Sequence, residues 1–424
     1  MKRVPVWALA ALTLAGSTAG AAEATRVASS FEDKSPFGMF LDVAFVRTQE
    51  QATLTRDGHA NGTVKAFNEL HYQAVDTRLQ MDAHVGLWHD FELHVGIPLD
   101  FGNTETWGYA QGASASNSSI TNNCLAPDGN LLDPACLTTG AGEKPLFGVP
   151  RTSFRGGLGN AVFGLSYAFF NQAKDDTKPT WVATFQYEAP TAAQRDPTFV
   201  TSSVRRGNIG DRVHKYTLAT SMSRKLGALE PYFDVRYTLP AVASGAYSNC
   251  DHPEVNLGAP SNCTNGTWTR KETGIAPPSV GSALFGLELN AFEEPVVHQR
   301  LAFDARALAT YVSAGRYYDE LSGALGKLLW AEEYLQLGGS LGVVAQAADY
   351  VSFKATGTLL YSTPHALTAE DAGKDRNHDG AVDVQPGSTE ANPSFDYRTD
   401  LVSRRFRAMD ITTWRLDVTV TFAF

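Results

Sequence analysis

From Trp414 to Phe424, apolar and polar residues alternate one for one. Trp414, Leu416, Val418, Val420, Phe422 and Phe424 share one face, and Arg415, Asp417, Thr419, Thr421 and Ala423 share the other. A period of two places successive side chains on opposite sides of a β-strand. The run also matches the roughly 9–11 residues that a tilted strand needs to cross a bilayer.

The same alternation recurs upstream. Val75, Thr77, Leu79, Met81, Ala83 and Val85 alternate with Asp76, Arg78, Gln80, Asp82 and His84, and Phe91, Leu93, Val95, Ile97 and Leu99 with Glu92, His94 and Gly96. Shorter versions occupy 181–188, 233–238 and 301–307, and weaker strands are readable near 38–47, 160–170, 213–225, 281–292, 334–345 and 350–361. About twelve strands result.

The connections alternate in length. Short ones fall near Leu87–Asp90, Asn171–Pro179, Gly227–Glu230, Glu293–Gln299 and Gln346–Asp349. Long ones fall near 48–63, 101–158, 190–211, 240–280, 315–332 and 362–405. Outer-membrane barrels have short periplasmic turns and long extracellular loops, whereas a soluble sandwich has no cause for this order. In lipid only helices and closed barrels satisfy their own backbone. The pattern therefore predicts an all-β, up-and-down antiparallel transmembrane barrel over residues 36–424, preceded by a short periplasmic segment, 22–35.

Residues 1–21 read as an export signal. Lys2 and Arg3 precede the apolar stretch Val4–Leu14, and Ala19-Gly20-Ala21 offers the small-x-small site for cleavage after Ala21. The expected location is the bacterial outer membrane, reached with the help of the barrel-assembly machinery. Outer-membrane lipid and a small-molecule solute are the expected partners. Thirty-five Lys and Arg against 45 Asp and Glu give a net charge of −10, with no basic cluster to receive nucleic acid. The four cysteines suit an oxidising compartment. Pairing by proximity gives Cys124–Cys136 and Cys250–Cys263, both in extracellular loops.

Several short phrases carry a family resemblance. Gly157-Leu158-Gly159-Asn160 leads into Phe163-Gly164-Leu165-Ser166-Tyr167, and Pro190-Thr191 ends the strand after Trp181. His94-Val95-Gly96-Ile97-Pro98-Leu99 closes one strand and Glu230-Pro231-Tyr232-Phe233 opens another. Together they resemble the outer-membrane proteins grouped as the MetA-pathway of phenol degradation, or transporter, family, over about 75–240 and the C-terminal strand. Asn160 stands where that family has an acidic residue, and Ala192 where it has glycine. The resemblance implies an outer-membrane barrel that moves small, including aromatic, compounds. It carries over no functional residue.

Asp82, His84, Glu92, His94, Asp234, Arg236, Asp304, Arg306, Arg415 and Asp417 are assigned to the lumen. They either line a polar pathway or pair across the interior and fill it. His84, Glu92 and His94 flank one turn, with His89 nearby, and are either transition-metal ligands or ordinary polar lumen residues. Asp375, Asn377, Asp379 and Asp383, with Gly380, sit at the spacing of a calcium loop, but Pro386 replaces the usual glutamate. The alternative is an Asx-rich turn. Leu321, Leu325, Leu328 and Leu329 recur at helical spacing, as a helix over the mouth or as cover for the barrel rim. No nucleophile motif points to an enzyme. The expected function is passive conduction of small molecules. The other class left open is a non-conducting barrel acting through its disulfide-bearing loops.

Overall fold

The computed structural model describes residues 22–32, 36–60, 63–122, 145–253, 259–294, 297–385 and 387–424. Twelve strands form the wall: β1 Met39–Ala60, β2 Thr63–Trp88, β3 Phe91–Tyr109, β4 in two pieces (Arg151–Leu158 and Ala161–Phe170), β5 Thr180–Ala189 and β6 Val213–Ser223. They continue as β7 Leu229–Val242, β8 Val280–Glu294, β9 Gln299–Val312, β10 Tyr334–Ala348, β11 Val351–Ser362 and β12 Phe406–Ala423. Each pairs antiparallel with the next, and β12 returns to β1 with Val43 opposite Val420 and Phe45 opposite Val418. Among the described residues the ring of pairings is continuous, as a backbone surrounded by lipid requires.

The outer surface is apolar. Phe45, Met81, Leu165, Phe285, Phe303, Leu341, Phe353 and Val418 are all exposed, while their neighbours in sequence turn inward. Lipid supplies the apolar phase that a core would supply elsewhere. Tyr187 and Tyr216 stack on this surface at 5.2 Å, and Phe169 lies 5.0 Å from Trp181. Aromatic girdles of this kind mark membrane boundaries. The faces assigned to 414–424 are those observed, since Arg415, Asp417, Thr419 and Thr421 pair with Thr48, Val46, Ala44 and Asp42 of the lumen side of β1.

Two connections are shorter than the sequence suggested. β1 and β2 stay paired as far as Ala60 opposite Thr63, so most of 48–63 is strand. β3 likewise runs to Tyr109, and β4 begins at Arg151. These extensions lack an outward apolar stripe because they rise beyond the lipid. Their inner side chains Leu54, Leu70 and Trp107 are fully buried by loops instead.

β4 breaks at Gly159-Asn160, where Gly159 N–H donates to the Pro98 carbonyl at 2.9 Å. Above the break it keeps β3 as a partner but leaves β5. The loop 190–211 covers the freed edge. Gly207 N–H donates to the Phe154 carbonyl at 2.8 Å, and Gly156 N–H to the Gly207 carbonyl at 3.1 Å.

Candidate functional site

The lumen is occupied at both ends, by different chemistry. At the periplasmic end a polar segment crosses it. Ala22 N–H donates to Glu230 on β7, and the Thr25 hydroxyl meets that of Ser223 on β6 at 2.7 Å. Glu23 lies 3.7 Å from Lys354 on β11, and Arg26 pairs with Asp42 on β1 at 2.8 Å. Ala28 N–H then donates to Glu92 on β3 at 2.6 Å, and Ser30 forms a bridge with His89. One short stretch thus touches five strands around the wall. It reaches them because Asp42, Glu92, Ser223, Glu230 and Lys354 present polar side chains to it.

The lumen charges are arranged along the strands, not across the interior. Arg236 Nε donates to Asp234 at 2.6 Å, Arg306 Nε to Asp304 at 2.6 Å, and Arg415 to Asp417 at 2.6 and 3.0 Å. Each pair is two residues apart and therefore on one face. Asp304 also accepts from the Tyr232 hydroxyl at 2.6 Å, Asp234 accepts from the Ser221 hydroxyl at 2.5 Å, and Asp82 accepts from Gln80 at 2.9 Å. His84 lies 2.8 Å from Glu92, beside His94. This pairing of the charges leaves both signs neutralised locally while Arg236 and Arg415 stay about half exposed.

The sequence reading missed several equal partners. Asp76, Arg78 and Asp100 form one cluster, with Arg78 2.8 Å from Asp76 and 3.3 Å from Asp100. Arg300 pairs with Glu288 between β9 and β8. Extending the period from Asp304 back to Arg300 would have reached one of them, and from Asp234 back to Glu230 the acceptor of Ala22 N–H. Glu23 and Arg26 have no such signal, because the segment that carries them has no period.

At the extracellular end an apolar cluster packs inside the wall. Leu54, Tyr72, Trp107, Phe406 and Ile411 on the inner faces of β1, β2, β3 and β12 pack with Ile120, Leu321, Ala324, Leu329 and Leu367 from the loops. Trp107 Nε1 donates to the Glu320 carbonyl at 2.8 Å, which ties the 315–332 loop to the wall. This loop does not merely cover the rim. Its helix is the single turn Ser322–Leu325, stopped by Gly326 at a φ of 74°, the left-handed cap that glycine adopts readily. Beyond it Leu329–Ala331 pairs with Gly315–Tyr317, so the leucine spacing continues in a strand. Leu321 and Leu329 are buried in the cluster of Trp107 and Tyr72 on the inner wall, whereas Leu328 packs in a second cluster with Val213, Tyr247 and Ile275.

Polar contacts brace this plug from outside. Arg195 reaches Glu105 at 3.1 Å from the 190–211 loop, and Lys327 lies 3.6 Å from Asp396. Asp400, fully buried, accepts from Asp396 N–H at 2.7 Å and Glu370 N–H at 3.3 Å. Burial first, and then the nearby Glu370 and Asp396, push its carboxyl up to about 7 against the opposing Lys327. Asp396 goes the other way, because Lys327 and Arg398 overcome its burial and hold it at about 2. A released loop would let Asp400 titrate near 3.8. Between those values the packed loop binds a proton that the released loop does not, so its stability falls as pH rises through that window. Protease cleavage within 362–405 should therefore be faster at pH 8 than at pH 5, and Asp400→Asn should flatten the difference. Equal rates in the wild-type protein would show that Asp400 does not control the loop.

The Cys250–Cys263 disulfide is present and closes a loop separation of 13 residues. Cys124 and Cys136 lie outside the described residues, as does Pro386. At 375–383 the side chains close turns on their own backbone. Asp375 accepts from His378 and Gly380 N–H at 2.6 and 3.1 Å, Asn377 from Asp379 N–H at 2.8 Å, and Asp379 from Ala381 N–H at 2.9 Å. Asp383 accepts from Gln385 N–H at 2.9 Å. Glu390 reaches in to accept from the N–H groups of Arg376, Asn377 and Asp383.

No family model and no curated relative matches the chain. Among solved structures it is similar to an outer membrane channel from Pseudomonas putida F1, with 11% identity and a TM-score of 0.42, over 92% of this chain and 96% of that one. It is also similar to a FadL homologue of Pseudomonas aeruginosa (9% identity, TM-score 0.36, 92% and 91% covered). A third is the TodX monoaromatic hydrocarbon channel, as its deltaS2 mutant (11% identity, TM-score 0.35, 92% of each chain covered). At these identities and scores the likenesses carry no argument about function, which rests on the geometry of this chain.

Proposed function

We propose that the protein is an outer-membrane channel that passively admits small apolar or aromatic solutes through a gated lumen. The observation that supports this most is the apolar cluster of Tyr72, Trp107, Leu321 and Phe406 inside the extracellular half of the barrel. A hydrophobic constriction excludes water and ions by dewetting. An apolar solute meets no such barrier, since it can replace the contacts it displaces. Below the cluster, the paired charges of the wall leave no large field of either sign to favour an ion.

The outer position of the plug suits entry from outside, and the polar N-terminal segment would be the second barrier on the way to the periplasm. The test uses cells that express the protein in an outer membrane poor in other channels. Radiolabelled toluene and radiolabelled xylose, both small, should separate the two chemistries. Expression should raise the initial rate of toluene entry several-fold and leave xylose entry unchanged. A rise for xylose alone would make the lumen an aqueous pore, and no rise for either would remove the transport role.

A further inference from the structure

We infer that the base of the lumen carries a transition-metal site built from His84, Glu92 and His94. His84 lies on β2 and the other two on β3, on either side of the turn at 89–90, and the register places His84 directly opposite His94. Glu92 is two residues before His94 and so faces the same way. One ligand atom from each side chain can be chosen so that all lie within 4.8 Å of one another. The two imidazoles are 5.4 Å apart at their centroids.

The second observation concerns His94 itself. It is 8% exposed, and its Nδ1 is buried with no hydrogen-bond partner among the described residues. A buried ring nitrogen without a partner is costly, and a structural histidine would aim that atom at a donor or acceptor. A metal would satisfy it, as imidazole is the commonest metal ligand when neutral. The ring also sits in a slot that glycine keeps open. Gly164 is its cross-strand partner on β4, and a Cβ at that position would run into the imidazole.

Outer contacts orient the set. Glu92 Oε2 accepts from Ala28 N–H at 2.6 Å, leaving Oε1 toward His84. Such partners fix ligand geometry in metal sites. Asp42 lies 3.8 Å from His84 Nε2, but it is engaged by Arg26 at 2.8 Å and the Thr421 hydroxyl at 2.5 Å, so it balances charge without serving as a ligand.

Two imidazoles and one carboxylate select zinc, copper or nickel over calcium or magnesium, which need oxygen-rich shells. Bond lengths of about 2.0–2.1 Å put tetrahedral ligand atoms about 3.3 Å apart. His84 Nδ1 and Glu92 Oε1, 2.8 Å apart, must therefore open slightly to admit the metal, which takes the place of the proton they share, while His94 comes to the ligand spacing from within 4.8 Å. Three protein ligands leave a fourth position for water or a solute. Because Glu92 also holds the N-terminal segment, the metal would sit against the inner barrier itself.

Tag-free protein in detergent, stripped with a chelator, should be titrated with zinc by calorimetry and with cobalt by visible absorbance. One equivalent should bind, with the bands of a tetrahedral nitrogen-ligated cobalt. His94→Gln and Glu92→Gln should each weaken binding by about tenfold or more. His378→Ala, in an extracellular loop, should not. Heat-modifiable gel mobility reports whether each barrel is folded, and the cobalt spectrum of the unaltered protein stands even if a variant fails to assemble. Absence of stoichiometric binding by the unaltered protein, or equal binding by His94→Gln and His378→Ala, would overturn the assignment.

Discussion

Val418→Arg should largely abolish assembly of the barrel, whereas Thr419→Arg, one residue along the same strand, should assemble close to normally. Val418 is exposed on the outer surface and sits opposite Phe45 in the β1–β12 seam. An arginine there meets hydrocarbon, at a cost of roughly 2–4 kcal/mol near the bilayer midplane. Thr419 sits opposite Ala44 on the inner side, where a long polar chain can extend into the lumen. The seam sharpens the difference, since it is the pairing that closes the barrel. The check is the fraction of heat-modifiable protein in the outer membrane for each variant. Equal assembly would mean that the faces of β12 are assigned wrongly.

Trp107→Ala should release the extracellular plug while leaving the wall intact. The indole is fully buried, lies 5.8 Å from the Tyr72 ring, and donates to the Glu320 carbonyl at 2.8 Å. Removing a buried tryptophan from a packed cluster costs about 3–5 kcal/mol. Here the loss falls on the joint between the 315–332 loop and β3, not on strand pairing, which is backbone to backbone. Limited proteolysis should therefore cut the variant within 315–332 well before the wild-type protein, at unchanged heat-modifiable mobility. Identical cleavage would place the loop's stability elsewhere, in contacts such as Lys327 with Asp396.

The wall was legible in the sequence because lipid and lumen impose opposite demands on alternate residues. Wherever both act, as at 75–85, 91–99 and 414–422, the assigned faces are those found. Where lipid stops, the outward stripe stops too, so the pattern predicts loop at Arg56 and Trp107, which lie on long strand extensions. What fills the lumen left little trace. The plug draws on residues as distant as Leu54, Leu321 and Phe406, and no local pattern says that a loop turns inward. The leucines at 321–329 showed apolar character, but Gly326 ended the helix their spacing implied. The N-terminal segment is short, polar and without period, so its course became visible only through its partners. At His84 and His94 the strand period brought the rings to one side, but the opening at Gly164 that admits His94 belongs to a third strand.

Planar-bilayer recording of the wild-type protein beside Trp107→Ala tests the gated lumen most directly. The account predicts a wild-type barrel that is nearly silent to ions, and a variant that shows discrete openings once the apolar cluster is loosened. Steady, large conductance by the wild-type protein would mean that the cluster is no gate. A variant as silent as its parent, with its loop shown by proteolysis to be released, would mean that the lumen is filled throughout and conducts nothing.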